Sequence, residues 1–180
     1  ENDGTVTALL AAPSPSAQGD PWALPEVSAL HPSSAVLIKR WEGWAASPAP
    51  APGENAQLTR DLVEMLALDY LAAYGTRGAV LYVPAREALI AEDNREAFPD
   101  HVQRSLVDPL LRRLRAVARF PRGLRDALTR LDRPHAEALL HPGSFEGWLV
   151  SPRSLIELDE RRAGLLSLIE AQIALRGEAA

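Results

Sequence analysis

The chain has 180 residues, a mass of 19.5 kDa, 47% hydrophobic residues and a formal net charge of −5, enough apolar content for one domain-sized core. It contains no cysteine, which excludes disulfides, thiolate catalysis, Cys-ligated zinc, iron–sulfur clusters and thioether-linked haem. Lys39 is the only lysine among 19 basic residues, so no P-loop Gly-Lys pair exists and a Schiff base has one residue to fall on.

The first 55 residues hold eight of the 15 prolines. Two dense stretches, Ala12 to Pro25 and Ala46 to Gly53, have little to bury and lack a donor at each proline, so they read as spacers. Between them Val36-Leu37-Ile38 suits a strand, whereas Leu37, Trp41 and Trp44 suit helical spacing, and the segment 34–44 stays open between the two. Trp22, Trp41 and Trp44 all fall in this part, which predicts aromatic anchors holding it to a body. The expected division is a Trp-anchored, Pro/Ala-rich arm over 1–55 and a compact helix-rich domain over 56–180.

Good helix formers from Ala56 to Tyr74 predict a central helix, with Asn55 as its cap and Gly75 as the left-handed residue that ends it. Gly78 to Val83 reads as a strand, and Pro84 then suits the first turn of a helix running to about Glu92. Pro99 and Asp108-Pro109 mark further starts, the second opening a helix to Phe120 with Leu110, Leu111, Leu114, Val117 and Ala118 on one face. Pro121 restarts a helix carrying Leu124, Leu128 and Leu131. Pro134 to Leu140 forms a short helix stopped by His141-Pro142-Gly143, Phe145 to Val150 reads as a strand, and Ser151-Pro152 opens a last helix to about Arg176. The order predicts a helix-dominated mixed α+β fold with a small sheet of two to four short strands. An all-α bundle with an extended N-terminal arm is the alternative, and the strand assignments decide between them.

The charge is unevenly laid out. Between Val102 and Arg133 nine arginines face three aspartates, a net +6, so the rest of the chain carries −11. Arg112, Arg115 and Arg119 fall opposite the leucines of the helix predicted from Pro109, with Asp108 within reach of Arg112 and with Arg122 following. Guanidinium forks suit carboxylate or phosphate, so this face, with Trp41 and Trp44, is the candidate for docking an acidic protein surface or a second copy of the chain, and it leaves room for a small anionic ligand. The acidic remainder and the scarcity of interleaved aromatics disfavour nucleic acid.

Three charges fall on apolar faces: Asp69 on the central helix, Arg113 on the next long one and Arg162 on the last. An unpaired buried charge costs several kcal/mol, so the expectation is that Asp69 pairs with one of these arginines across the core. A carboxylate so placed is also a candidate general acid or base. His135 and His141 lack the spacing that brings ligands to one face, and no Gly-x-Ser-x-Gly elbow occurs, so no metal and no cofactor is expected.

Leu37-Ile38-Lys39-Arg40-Trp41-Glu42-Gly43 resembles the Leu-Ile-Lys-x-Phe-Glu-Gly stretch of phage-type lysozymes. The resemblance implies a catalytic acid at Glu42. It covers seven residues, and a Pro/Ala spacer follows where that family continues into a β-hairpin with a Gly-Tyr-Gly-x-Thr element. No apolar run approaches the roughly 20 residues of a membrane span and no signal peptide is present. The Arg, Ala and Pro excess fits a high-GC bacterial coding bias, and a start at Glu1 favours a processed, extracytoplasmic protein over a cytoplasmic one. The expected function is a non-enzymatic interaction or ligand-binding domain, such as an adaptor, accessory subunit or sensory module. A small hydrolase using Asp69 or Glu42 is the alternative.

Overall fold

The computed structural model describes residues 28–29, 35–75, 80–83, 88–91, 96–140 and 150–176. Six helices lie among them: α1 (Ala35–Ala46), α2 (Ala56–Leu71), α3 (Arg104–Ala116), α4 (Arg122–Arg130), α5 (Arg133–Leu140) and α6 (Pro152–Arg176). Three short strands, β1 (Ser28–Ala29), β2 (Val80–Val83) and β3 (Ala88–Ala91), pair antiparallel in the order β1-β2-β3, with Ser28 opposite Tyr82 and Tyr82 opposite Leu89. The fold is helix-dominated α+β with a small sheet, as the sequence predicts, and not an all-α bundle.

The centre is α2. Asn55 Oδ1 accepts the Leu58 N–H at 3.0 Å, the predicted cap, and 12 of the helix's 16 residues are buried. The exit differs from expectation. The helix ends at Leu71, and the left-handed residue is Ala73 (φ 53), not Gly75. Tyr74 N–H reaches Asp69 O at 2.8 Å and Ala73 N–H reaches Tyr70 O at 3.2 Å, the paired bonds that close a helix C-terminus around a left-handed residue. Gly75 serves close approach instead: a Cβ there would lie 2.5 Å from Leu106 Cβ and 2.7 Å from Leu106 O.

The segment that reads as either strand or helix forms α1. It buries Trp41 (4% exposed) and Ala45 against α2 in the common core, and Trp41 meets the Tyr82 ring of β2 at 6.3 Å between centroids. Residues 35–55 therefore share one core with the helices that follow.

Two helix assignments are corrected. Residues 88–91, placed in a helix from Pro84, form β3, because β2 supplies a ladder and Leu89 is buried. A run of Ala and Leu takes either conformation when a partner strand decides. The helix expected from Pro109 to Phe120 instead runs from Arg104 to Ala116, with Pro109 inside it. Val107, Leu110 and Leu114 make one buried stripe across the proline, and that burial outweighs the hydrogen bond Pro109 cannot donate. Val117 leaves the helix at ψ 127, and Ala118 N–H donates to Ala45 O at 2.7 Å, tying the exit of α3 to α1.

The last three helices follow their sequence signals. Pro121 precedes α4, Asp132 Oδ1 caps α5 by accepting His135 N–H at 2.9 Å, and Ser151 Oγ accepts Ser154 N–H at 3.1 Å at the start of α6. Leu62, Leu66, Leu114, Leu128, Leu155, Leu165 and Ile169 are fully buried where α2, α3, α4 and α6 meet. Residues 145–149 of the predicted fifth-segment strand lie outside the described residues.

Gly75→Ala is expected to destabilise the protein by about 1–3 kcal/mol, because its methyl meets Leu106 backbone and Cβ atoms that cannot swing away. Gly43→Ala on α1, with nothing within 4 Å of its Cβ, is expected to be neutral or stabilising by up to about 1 kcal/mol. Paired thermal melts check the contrast, and equal melting temperatures for Gly75→Ala and the parent protein would remove the close-approach explanation.

Candidate functional site

The arginine block divides into two sets. Arg113 Nε donates to Glu42 Oε1 at 2.6 Å, joining α3 to α1. Arg119, beyond the end of α3, donates from Nη2 to both oxygens of Glu54 at 2.7 Å and to Trp44 O at 2.8 Å, and from Nε to Ser47 O at 2.8 Å. Arg125 pairs with Glu170 of α6 at 2.8 Å, and Arg133 with Glu137 within α5 at 2.8 Å. Arg104, Arg112, Arg115 and Arg122 are exposed and have no hydrogen bond or carboxylate partner among the described residues.

Three of those four share a surface. Positions 104, 108, 112 and 115 repeat at helical spacing, so Arg104, Asp108, Arg112 and Arg115 form one exposed stripe along the flank of α3. Asp108 does not pair with Arg112, contrary to the i, i+4 expectation. Arg119 does not belong to this face, because its guanidinium is turned inward onto residues 44–54. Trp41 is a core residue and Trp44 is partly buried against the same core, so neither stands free on the surface beside the stripe.

The expected pairing of Asp69 with Arg113 or Arg162 is not what these arginines do. Asp69 is 3% exposed, but Arg113 is held by Glu42, and Arg162 donates to Asp159 Oδ1 at 2.8 Å and to Leu128 O at 3.0 Å. The arginine inside the core is Arg161, 8% exposed, whose Nε donates to Leu71 O at 3.0 Å. It sits at the carbonyl end of α2, where a cation is favoured by the helix dipole. On the wheel of α6 Arg162 falls within the apolar stripe and Arg161 to one side of it, yet Arg161 is the more deeply buried, because the carbonyl end of α2, invisible in the periodicity, lies on its side. Burial pushes the Arg161 pKa down, against the pull of Glu157, Tyr70 and Glu160.

Two further carboxylates on α2 are buried and were not signalled by the sequence. Asp61 Oδ2 accepts the Leu89 N–H at 2.9 Å and its Oδ1 accepts from Gln57 at 2.6 Å, so this side chain satisfies the outer edge of β3. Glu64 Oε1 accepts from Arg60 Nε at 2.9 Å. Burial raises the pKa of both, the bonds from Leu89, Gln57 and Arg60 opposing it. At Glu54 burial also works upward, but the bonds from Arg119 and Ala51 outweigh it and the pKa is lowered.

For the lysozyme-like stretch, Glu42 lies on α1 in its pair with Arg113, and residues 47–55 form bends and turns where a β-hairpin would have to follow. His101 and His135 are exposed, and His141 lies outside the described residues. No group of three or more His, Asp or Glu suited to a metal occurs among the described residues, and no described helix is long and apolar enough to cross a membrane. An open cleft of about 770 Å³ runs beside the exit of α2, lined by Tyr74, Asp100 and His101 among others, with Ala73 (φ 53) and Phe98 (φ 57) on its wall. A cavity of about 240 Å³ lies between the start of α4 and α6.

Comparison with known protein families, characterised proteins and solved structures finds no match for this chain.

Arg119→Met is expected to cost about 3–5 kcal/mol, since it strands the Glu54 carboxylate, whose side chain is 3% exposed. Arg113→Met, removing a pair whose side chains are 39% and 34% exposed, is expected to cost about 0–1 kcal/mol. Urea unfolding of both variants measures the difference, and similar losses would contradict the assignment of Arg119 as the internal clamp.

The raised pKa of Asp61 gives a pH test. Between the ordinary carboxylate pKa and its raised folded value, the folded chain holds more protons than the unfolded one, so Asp61 makes stability fall as pH rises through that window. Asp61→Asn, which keeps an oxygen for Leu89 N–H, is expected to flatten that fall without loss at neutral pH. Asp61→Ala leaves the amide unpaired and is expected to cost about 1–3 kcal/mol at every pH. Urea midpoints from about pH 4 to 7 distinguish the two, and an Asn variant as unstable as the Ala variant would show that the charge is required.

Proposed function

We propose that the protein is a non-enzymatic interaction domain that docks an acidic protein surface on the α3 flank carrying Arg104, Arg112 and Arg115. One observation carries this: Arg113, Arg119, Arg125 and Arg133 are matched by the chain's own carboxylates, and the three arginines of a single stripe are exposed and have no carboxylate partner among the described residues. Repeated guanidinium forks at helical spacing suit a row of carboxylates. A chain of net charge −5, with no exposed aromatic described on the stripe, is poorly suited to the phosphate backbone. The buried carboxylates that an enzyme would need are bound to a backbone amide or to a neighbouring side chain, not directed at a shared cleft.

Binding of polyglutamate and of duplex DNA, each to the parent protein and to an Arg112→Glu/Arg115→Glu double variant, tests the reading. Polyglutamate binding is expected to weaken about tenfold or more on charge reversal and on raising salt from about 0.05 to 0.5 M. Polyglutamate binding indifferent to the double variant, or DNA binding tighter than polyglutamate binding, would overturn it.

A further inference from the structure

The cavity of about 240 Å³ lies where the non-helical stretch 117–121 passes between the start of α4 and the C-terminal half of α6. Phe120 and Pro121 form one wall and Ile169 and Ile173 another, so about half of its lining is apolar. Polar groups gather at the α4 end, and several of them have nothing to bind. Gln172 Oε1 is buried with no hydrogen-bond partner, a state that costs free energy in a folded protein and calls for an explanation. Arg122 is exposed and has no carboxylate partner among the described residues. Pro121 gives α4 no side-chain cap, and the N–H groups of Leu124 and Arg125 fold back to Pro121 O at 3.0 and 3.4 Å, leaving those of Arg122 and Gly123 without an acceptor.

The charges around the cavity favour an anion. Arg125 is bound to Glu170 at 2.8 Å, and Arg176 Nη1 donates to Ala118 O at 3.3 Å on the same wall. Asp126 is the one carboxylate in the lining, and it makes no pair with Arg122 one turn away. Arg122 and the positive end of α4 therefore face the opening uncompensated. An apolar cavity of about 150 Å³ holds a benzene ring, so this one has room for roughly ten non-hydrogen atoms.

We propose that this cavity binds a small organic acid, its apolar body between Phe120 and the isoleucines of α6 and its carboxylate at the start of α4, between Arg122 and Gln172. The carboxamide of Gln172 turns about its last bond to offer Nε2 as donor, and Arg122 with the free N–H groups supplies the remaining donors. The apolar walls select against inorganic anions, which gain nothing from them. The proposal stands apart from the docking of an acidic partner: it uses α4 and α6, whereas that docking uses Arg104, Arg112 and Arg115 on α3.

Titrations of the full chain with benzoate, benzamide and inorganic phosphate, followed by calorimetry and amide NMR, test it. Benzoate is expected to saturate a single site, with shifts at residues 120–125 and 169–173, and to bind about tenfold more tightly than benzamide or phosphate. Arg122→Gln and Gln172→Leu are each expected to weaken benzoate about tenfold, while Arg112→Gln leaves it unchanged. Gln172→Leu replaces an unpartnered amide by an apolar group of similar size, so its melting temperature is expected to equal or exceed that of the parent, which separates lost binding from lost folding. Ile173→Trp, which fills the cavity, is expected to abolish binding. Phosphate binding as tight as benzoate would reduce the site to an adventitious ion only and overturn the proposal. So would an equal loss in Arg112→Gln, or no saturation by benzoate.

Discussion

The architecture is organised around a helix with no free side. α2 buries 12 of its 16 residues, so it cannot send its polar residues to solvent as a surface helix does. Apolar burial holds the helix in the interior but is non-directional, and the polar groups carried in with it supply direction. Asp61 must find donors, and the one it finds on the outer edge of β3 sets where the sheet docks. The carbonyl end of the helix takes the guanidinium of Arg161, which sets the level at which α6 crosses. The turn at the exit brings the chain so near the start of α3 that position 75 has no space for a side chain.

The arginine block has to be understood within that frame. Its members lie on α3, α4, α5 and the stretch between α3 and α4, and two of them, Arg113 and Arg119, reach back to segments placed earlier in the chain. Arg113 and Arg119 grip α1 and the 47–54 turn, and Arg125 grips α6. The Arg119 clamp is the most structural of these, since one guanidinium serves two carbonyls and a buried carboxylate together. Three of the nine arginines are thus consumed in fastening Pro-rich and helical segments together. Among the described residues Arg104, Arg112 and Arg115 on the α3 flank remain without a carboxylate partner.

How much of this was legible in the sequence depends on the range of the interaction. Caps and prolines act within a turn or two, and α2, α4 and α6 begin where Asn55, Pro121 and Ser151 place them, while α5 begins one residue before the expected Pro134, at a cap from Asp132 that the sequence reading did not include. β3 was not legible, because Ala88 to Ala91 has no strand signal of its own and takes its conformation from β2. The start of α3 was hidden by Pro109, a strong local signal outweighed by the burial of Val107 with Leu110 and Leu114. Periodicity likewise gives the arginine stripe but not which arginines are engaged. The carboxylates that decide this, Glu42, Glu54 and Glu170, are 71, 65 and 45 residues away. The same holds for Arg161: the helical wheel favours Arg162 as the buried arginine, and only the position of the α2 carbonyl end reverses that choice.

Perturbed ionisation is often a guide to chemistry, because active sites displace pKa values by burial and by neighbouring charge. In this chain the displaced groups have architectural explanations. Asp61, Glu64 and Tyr70 are raised because α2 is central and buries them, Glu54 is lowered because Arg119 clamps it, and Arg161 is lowered because it closes a helix end inside the core. Asp61, Glu64, Glu54 and Arg161 are each engaged by a backbone group or a neighbouring side chain, and none of the five lines the cleft beside Tyr74 or the cavity beside α4. The groups left over are of another kind: arginines on an exposed flank, and the unpartnered Gln172 Oε1 at a small cavity. Groups of that kind can bind and orient an anion without exchanging protons, and the two proposed sites rest on that chemistry.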